Sequence, residues 1–317
     1  MSSYRNDMVA RFWRYQKQFF PQWEEYFERP EMPNRRPPVF LKECVAHNLL
    51  FDPCASPIQR KQLLSLIPPR ERHRWFASMT SSQALALSVF GNLKINGCLG
   101  LLREVRDQEG RNVFGEEITT DNFHMEYKVD SLGEPRPTSL DAFIDGKEPI
   151  AIECKLTEMD VGHCSRPMLT QRDSNYEADY CDGTYFLQRD RKTRCSLTEI
   201  GVRYWQYVPG IFKWSSDIDM TPCPLRSNYQ LVRNLLAISF PGDGMPSGNG
   251  HIVLVYDDRN PAFQKGGRGY VAYGDTKNAL HEPEQLKRCS WQQIAQVIEQ
   301  EKRLEWLGVS LQAKYGI

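Results

Sequence analysis

The chain has 317 residues with 40 basic and 40 acidic side chains, so its formal net charge is zero. No global field draws it to nucleic acid, which excludes a charge-driven coating protein and requires any such contact to be a local basic groove. A hydrophobic content of 40% excludes a disordered chain, and nine cysteines at this length exclude a small secreted disulfide scaffold.

The first residues, MSSYRNDMVARFWRYQ, interrupt their apolar positions with Arg and Asp, so they lack the core of a signal peptide, and no apolar run in the chain reaches membrane-spanning length. The expectation is a soluble, cytoplasmic protein with reduced or metal-bound thiols. From Arg5 to Phe27 aromatic and apolar residues recur at helical spacing. RPEMPNRRPP, Arg29 to Pro38, cannot be helical because its prolines remove donors, and reads as a linker or an extended strap. Val39 to Leu50 reads as a short helix, and Pro68-Pro69 opens a third, whose Arg70, Arg72 and Arg74 could touch phosphate or simply form a solvated face. These elements, residues 1–80, make an N-terminal helical region before a main domain over 81–317.

Ser81 to Leu93 has helical spacing, and Gly91-Asn92 should break or cap it. LGLLREV continues with Glu104, and FHMEYKV, carrying Glu126, reads as extended. The informative stretch follows, SLDAFIDGKEPIAIECK from Ser139 to Lys155: a strand holding Asp141, a turn at Asp145 to Pro149, and a second strand from Ile150 to Lys155. By the period of a pleated strand, Ala151, Glu153 and Lys155 share one face and Ile150 and Ile152 the other. The turn can set Asp141 opposite Glu153 and Lys155, so two carboxylates and an ammonium converge at the end of a hairpin. Two close carboxylates repel unless a hard divalent cation lies between them, and Mg²⁺, or Mn²⁺ in its place, suits oxygen donors that keep several waters. Lys155 would then hold an attacking water or a developing oxyanion, and the backbone carbonyl of Cys154 would be a further ligand.

This arrangement resembles the PD-(D/E)XK nuclease superfamily, whose pattern is an acidic residue on one core strand and Glu, any residue, Lys on the next: here Asp141, Glu153 and Lys155. The usual Pro before the Asp is replaced by Leu140. The resemblance implies an α/β fold, a small mixed central sheet flanked by helices, and divalent-metal-dependent hydrolysis of DNA in restriction, defence or repair. It also implies an upstream Glu completing the metal site; Glu104 and Glu126 are the candidates, with Glu126 favoured by its place on a neighbouring strand. In the λ exonuclease and RecB-like branch, the helix after the Lys-bearing strand carries a Gln facing the site, and Gln230 holds the corresponding place. Beside this stands the plainer reading that Glu, any residue, Lys occurs about once by chance in a chain of this charge content and is a solvated strand face. An RNA-directed nuclease of the same fold and a non-catalytic nucleic-acid-binding or scaffold subunit are the rival functions.

After the hairpin roughly 70 residues precede the next core helix, more than a connecting loop needs. This insertion, about 160–225, holds Cys164, Cys181, Cys195 and Cys223, without a Cys-X-X-Cys knuckle, so unliganded thiols are the plain reading. Some related recombination and CRISPR-associated nucleases staple their fold with a four-cysteine iron–sulfur cluster; their spacing is not matched here, and an iron–sulfur or Zn²⁺ site, with His163 in place of one thiolate, is the alternative. LQRDRKTR supplies Arg189, Arg191, Lys192 and Arg194 for a phosphate backbone, with Tyr185 and Phe186 to stack on a base, or else an ordinary charged loop. TEIGVRYWQY reads as helical from a capping Thr198. NYQLVRNLLAISF is a strong helix, HIVLVYD a buried strand and GYVAYGD a further strand. The helical tail from Ser290 covers the sheet or forms a surface for a homodimer or partner protein.

Overall fold

A computed structural model describes residues 3–29, 35–164, 195–215, 223–240 and 250–317. Helix α1, Ser3–Phe19, is amphipathic and buries Tyr4, Met8 and Phe12. It stops short of the expected Phe27 because Pro21 cannot donate to the preceding turn and keeps Phe20 out of helical geometry. One turn, Trp23–Glu25, follows, and residues 30–34 of the expected linker or strap lie outside the described residues. The expected helix over 39–50 is a 3-10 segment, Lys42–Asn48, and Val39 and Phe40 instead form bridges to Ser78 and Phe27. Helix α2, Pro57–Ser65, begins with a capping box between Ser56 and Gln59. The helix expected after Pro68 is only the turn Pro69–Glu71, because Arg74 and the residues after it are taken into turns.

Helix α3, Ser82–Ala86, runs through a wide turn, Leu87–Gly91, into α4, Asn92–Ile95. Gly91 does not end the helix as expected. Its φ of −62° is helical, and a Cβ there would meet Leu63 Cδ1 at 2.5 Å, so the glycine serves the close approach of α2 rather than a break. Asn92 stays inside because its amide donates to the carbonyls of Leu50 and Ser88.

The centre is a five-stranded mixed sheet in the order β1-β2-β3-β4-β5. Strands β1 (Phe123–Val129), β2 (Thr138–Ile144) and β3 (Ile150–Cys154) form an antiparallel meander, and β4 and β5 add in parallel. Between β3 and β4 lie α5 (Ser196–Glu199), α6 (Tyr204–Ile211) and α7 (Leu225–Ser239). The single helix expected over 198–207 is broken because Gly201, with φ +91°, turns the chain between α5 and α6. Strand β4 is His251–Tyr256. GYVAYGD, expected as a strand, lies in helix α8, Arg268–Ala279: Gly269, Ala272, Tyr273 and Thr276 are buried at spacings of three and four, and the Thr276 hydroxyl bonds back to the Ala272 carbonyl. The parallel edge strand is instead β5, Leu286–Ser290, whose Lys287 and Arg288 hid it from a hydrophobic pattern. Helices α9 (Trp291–Glu299) and α10 (Glu305–Tyr315) close the chain.

Alternation along the strands gives the sheet two buried faces. Ile150, Ile152, Val253 and Val255 pack with Phe12, Phe90, Trp291 and Tyr315, so the N- and C-terminal helices share one core. Ala151, Ile252 and Leu254 pack with Tyr204, Leu231 and Leu235 under α6 and α7. Each fully buried Leu, Ile or Phe contributes about 1.5–3 kcal/mol, which makes both layers rigid supports for what lies between them.

Candidate active site at the open end of the hairpin

Pairing between β2 and β3 runs from Ile144↔Ile150 to Ala142↔Ile152. In that register Asp141 stands opposite Glu153, but the strands part there. The Asp141 carboxylate takes over from the backbone, accepting the Cys154 N–H at 2.7 Å. On the other side of β2, the ladder to β1 skips the same step: Met125 pairs with Ala142 and Tyr127 with Leu140, leaving Glu126 and Asp141 opposite each other. Glu126 has φ +49°, the left-handed region that costs a residue with a Cβ about 1–2 kcal/mol. Both strands change face here: Met125 and Ala142 lie in one core, Val129 and Leu140 in the other. The irregularity turns the Asp141 carboxylate to the end of β3 and leaves Glu126 to Gln83 and Ser139.

Glu153 and Lys155 share the face under α7, with side chains 4% and 6% exposed. Lys155 Nζ donates to Glu153 Oε1 and to Gln230 Oε1, both at 2.7 Å. Asn234, one turn further along α7, donates to Glu153 Oε2 at 2.7 Å. Gln230 is confined by Gly162, where a Cβ would come within 2.6 Å of its Oε1. Gln83 and the Ser139 hydroxyl donate to Glu126, and Gln83 also donates to the Glu71 carbonyl.

The electrostatics separate the three carboxylates. Burial, then the charges of Glu153 and Glu126, push Asp141 well above the usual carboxylate range. Burial likewise raises Glu126, although Gln83 and Ser139 favour its charged form. Glu153 feels the same burial, but Lys155, Arg233 and the Asn234 amide outweigh it and hold its pKa below the ordinary value. Burial would lower Lys155; the charges of Glu153, Glu158 and Asp141 overcome it and raise the ammonium. A charged Glu153–Lys155 pair thus faces a proton-hungry Asp141, the imbalance a divalent cation would remove.

Residues 19–316 match the family described as Restriction Endonuclease associating with ARP. The chain belongs to that family. Neither curated proteins nor solved structures return a match. The family description is that of a restriction endonuclease, a class of nuclease. Asn234 was missed by the sequence reading, although its four-residue spacing from Gln230 on a helix was the available signal.

Among the described residues no three His, Cys, Asp or Glu side chains stand close enough to hold an ion by themselves. The donor set that fits Mg²⁺ or Mn²⁺ is two carboxylates, Asp141 and Glu153, with a carbonyl. In an extended strand the N–H and C=O of one residue point to the same neighbour, so the Cys154 carbonyl, like its N–H, faces Asp141. Hard oxygen donors are the chemistry these cations take.

Other expected residues are not brought to this site. Glu104 ends a 3-10 segment with its side chain 65% exposed, facing Arg106 at 3.7 Å. Cys164, Cys195 and Cys223 are buried in the hydrophobic layer under α7, and Cys195 accepts the Trp205 indole N–H. His163 has its ring nitrogens facing Asp160 at 2.8 Å and the Arg226 carbonyl at 3.0 Å. Arg72 donates to the carbonyls of Ile67 and Leu64, and Arg70 faces Glu71. Cys181, Tyr185, Phe186, Arg189, Arg191, Lys192 and Arg194 lie outside the described residues. Among the described residues no helix is long and apolar enough to cross a membrane.

Proposed function

We propose that this chain is a divalent-metal-dependent nuclease of the PD-(D/E)XK type that hydrolyses DNA phosphodiester bonds. The observation that carries the reading is the buried Glu153–Lys155 pair at 2.7 Å, set in register against an Asp141 whose charge is disfavoured by burial and then by Glu153 and Glu126. A sheet needs no such group, since burying ions costs more than burying the apolar residues they replace. Asp141, Glu153 and the Cys154 carbonyl would hold Mg²⁺ or Mn²⁺, with Glu126 a neighbouring charge held by Gln83 and Ser139 rather than a third carboxylate ligand, and the bound ion would supply charge neutralisation at the phosphate and acidify nearby water.

The chain's own groups supply the rest. Lys155 presents a fixed cation from which a proton can be directed at an attacking water or a phosphate oxygen, and charge stabilisation of this kind counts most where it grows only in the transition state. Gln230 fixes the ammonium through its Oε1. Asn234 occupies one Glu153 oxygen, so the carboxylate keeps its orientation when the other oxygen changes partner. The two hydrophobic layers bury the Glu153–Lys155 pair, which strengthens the interactions within it.

The family's description adds a partner, ARP, and we take association with it as part of the biological setting of the nuclease. The direct test is incubation of the purified protein with linear, circular and single-stranded DNA and with RNA, in Mg²⁺, Mn²⁺ or chelator. DNA cleavage that needs the ion is expected. Cleavage of RNA alone would move the reading to the RNA-directed alternative, and binding without cleavage of any substrate would move it to the scaffold alternative.

A further inference from the structure

Beside the carboxylates lies a cavity of about 750 Å³ between the N-terminal segment and the start of α3. Its walls include Arg5, Arg29, Arg36 and Arg74, with the indoles of Trp13 and Trp75. Glu28 and Glu158 are the acids among them, and Glu158 is already engaged by the Leu156 N–H at 2.6 Å and the Ser82 hydroxyl at 2.7 Å. Arginines outnumber acids in this lining, four to two. Trp75 is 55% exposed, a large aromatic left in solvent at the rim, and Arg74 lies over its ring at 5.1 Å. The cavity connects to the candidate active site through its lining residue Gln83, which donates to Glu126, while Asp141, Glu153 and Lys155 do not line it.

Arginines interleaved with indoles form a surface for unpaired nucleic acid, in which guanidinium groups follow the phosphates and rings take the exposed faces of bases. A duplex presents its bases already stacked, so an exposed tryptophan in a concave pocket suits a nucleotide taken out of the stack or one at a single-stranded end. The volume falls within the range that encloses a small ligand rather than a whole duplex. We infer that this cavity binds an unpaired nucleotide of the substrate strand, its base on Trp75 and its backbone along Arg74 and the neighbouring arginines. The inference rests on the nuclease reading for the identity of the strand but not for the existence of the site. The enzyme then engages a strand end or locally opened segment next to the scissile position.

The test measures binding in chelator, where no cleavage intervenes, with fluorescent oligonucleotides that are single-stranded, blunt duplex, or duplex with a single-stranded overhang. Trp75→Ala should weaken the single-stranded and overhang ligands by roughly five- to a hundredfold, the range set by loss of one stacked base, and leave blunt duplex nearly unchanged. Trp75→Phe should recover much of the loss, which a merely structural role would not. Arg74→Ala should weaken binding and reduce its salt dependence. Equal affinity of Trp75→Ala and the unaltered chain for all three ligands would overturn the assignment, as would an equal loss on blunt duplex. Trp75-dependent binding by a protein that cleaves nothing would uphold the site while removing the nuclease reading; cleavage indifferent to Trp75 would do the reverse.

Discussion

Replacing Lys155 by methionine removes the cation that keeps Glu153 charged inside the protein. The Glu153 side chain is only 4% exposed, and its remaining hydrogen-bond donor is Asn234. Breaking a buried pair in this way costs about 3–5 kcal/mol, a fall in melting temperature on the order of 10 °C for a chain of this size. The pH dependence has a definite sign. Without Lys155, burial would raise the Glu153 pKa above its unfolded value, so stability is retained below the unfolded pKa and lost as pH rises through the folded one. The single variant's deficit should therefore shrink on acidification. The double variant Glu153→Gln with Lys155→Met leaves no buried charge at the pair, keeps an acceptor for Asn234, and should melt within about 2 kcal/mol of the unaltered protein. It should be as inactive as the single variant. Thermal melts from mildly acidic to mildly basic pH, with cleavage assays on the same samples, separate folding from chemistry. A Lys155→Met protein that melts with the unaltered chain at neutral pH would refute the claim that these charges are buried and mutually dependent.

Further expectations follow from the same geometry. Asp141 and Glu126 are both raised, so metal-free protein should lose stability as pH rises above the ordinary carboxylate range, and Mg²⁺ should stabilise it more strongly at higher pH, which melts with and without ion would show. Glu126→Gln should relieve repulsion at Asp141 and raise metal-free stability at basic pH by on the order of 1 kcal/mol. Gly162→Ala should displace Gln230, because φ is +79° and a Cβ would collide with its side chain, lowering the rate of cleavage more than the affinity for DNA. The cysteine expectation is checked by spectrum and metal content: a colourless, zinc-free protein leaves Cys164, Cys195 and Cys223 as core thiols, and visible absorption would mark an iron–sulfur cluster.

Much of the site was legible because it is local. The pleat period and a five-residue turn from Asp145 to Pro149 put Asp141 opposite Glu153, and helical position put Gln230 near Lys155. The face change at Glu126 and Asp141 was hidden, since a break in strand alternation looks like an ordinary polar interruption. Gly91 and GYVAYGD misled for a related reason: a glycine chosen for close packing carries the same letter as one that ends a helix, and alternating small and aromatic residues satisfy both the strand and the helix period. Strand β5, with two charges in its middle, gave too weak a pattern. The cavity of Trp75 and Arg74 joins segments distant in sequence, so only folding assembles it.

The measurement closest to the central claim is cleavage of linear DNA by the unaltered protein and by Asp141→Asn, each in Mg²⁺ and in chelator. Ion-dependent cleavage by the former and none by the folded variant is the predicted result; undiminished cleavage by Asp141→Asn, or cleavage that persists in chelator, would contradict it.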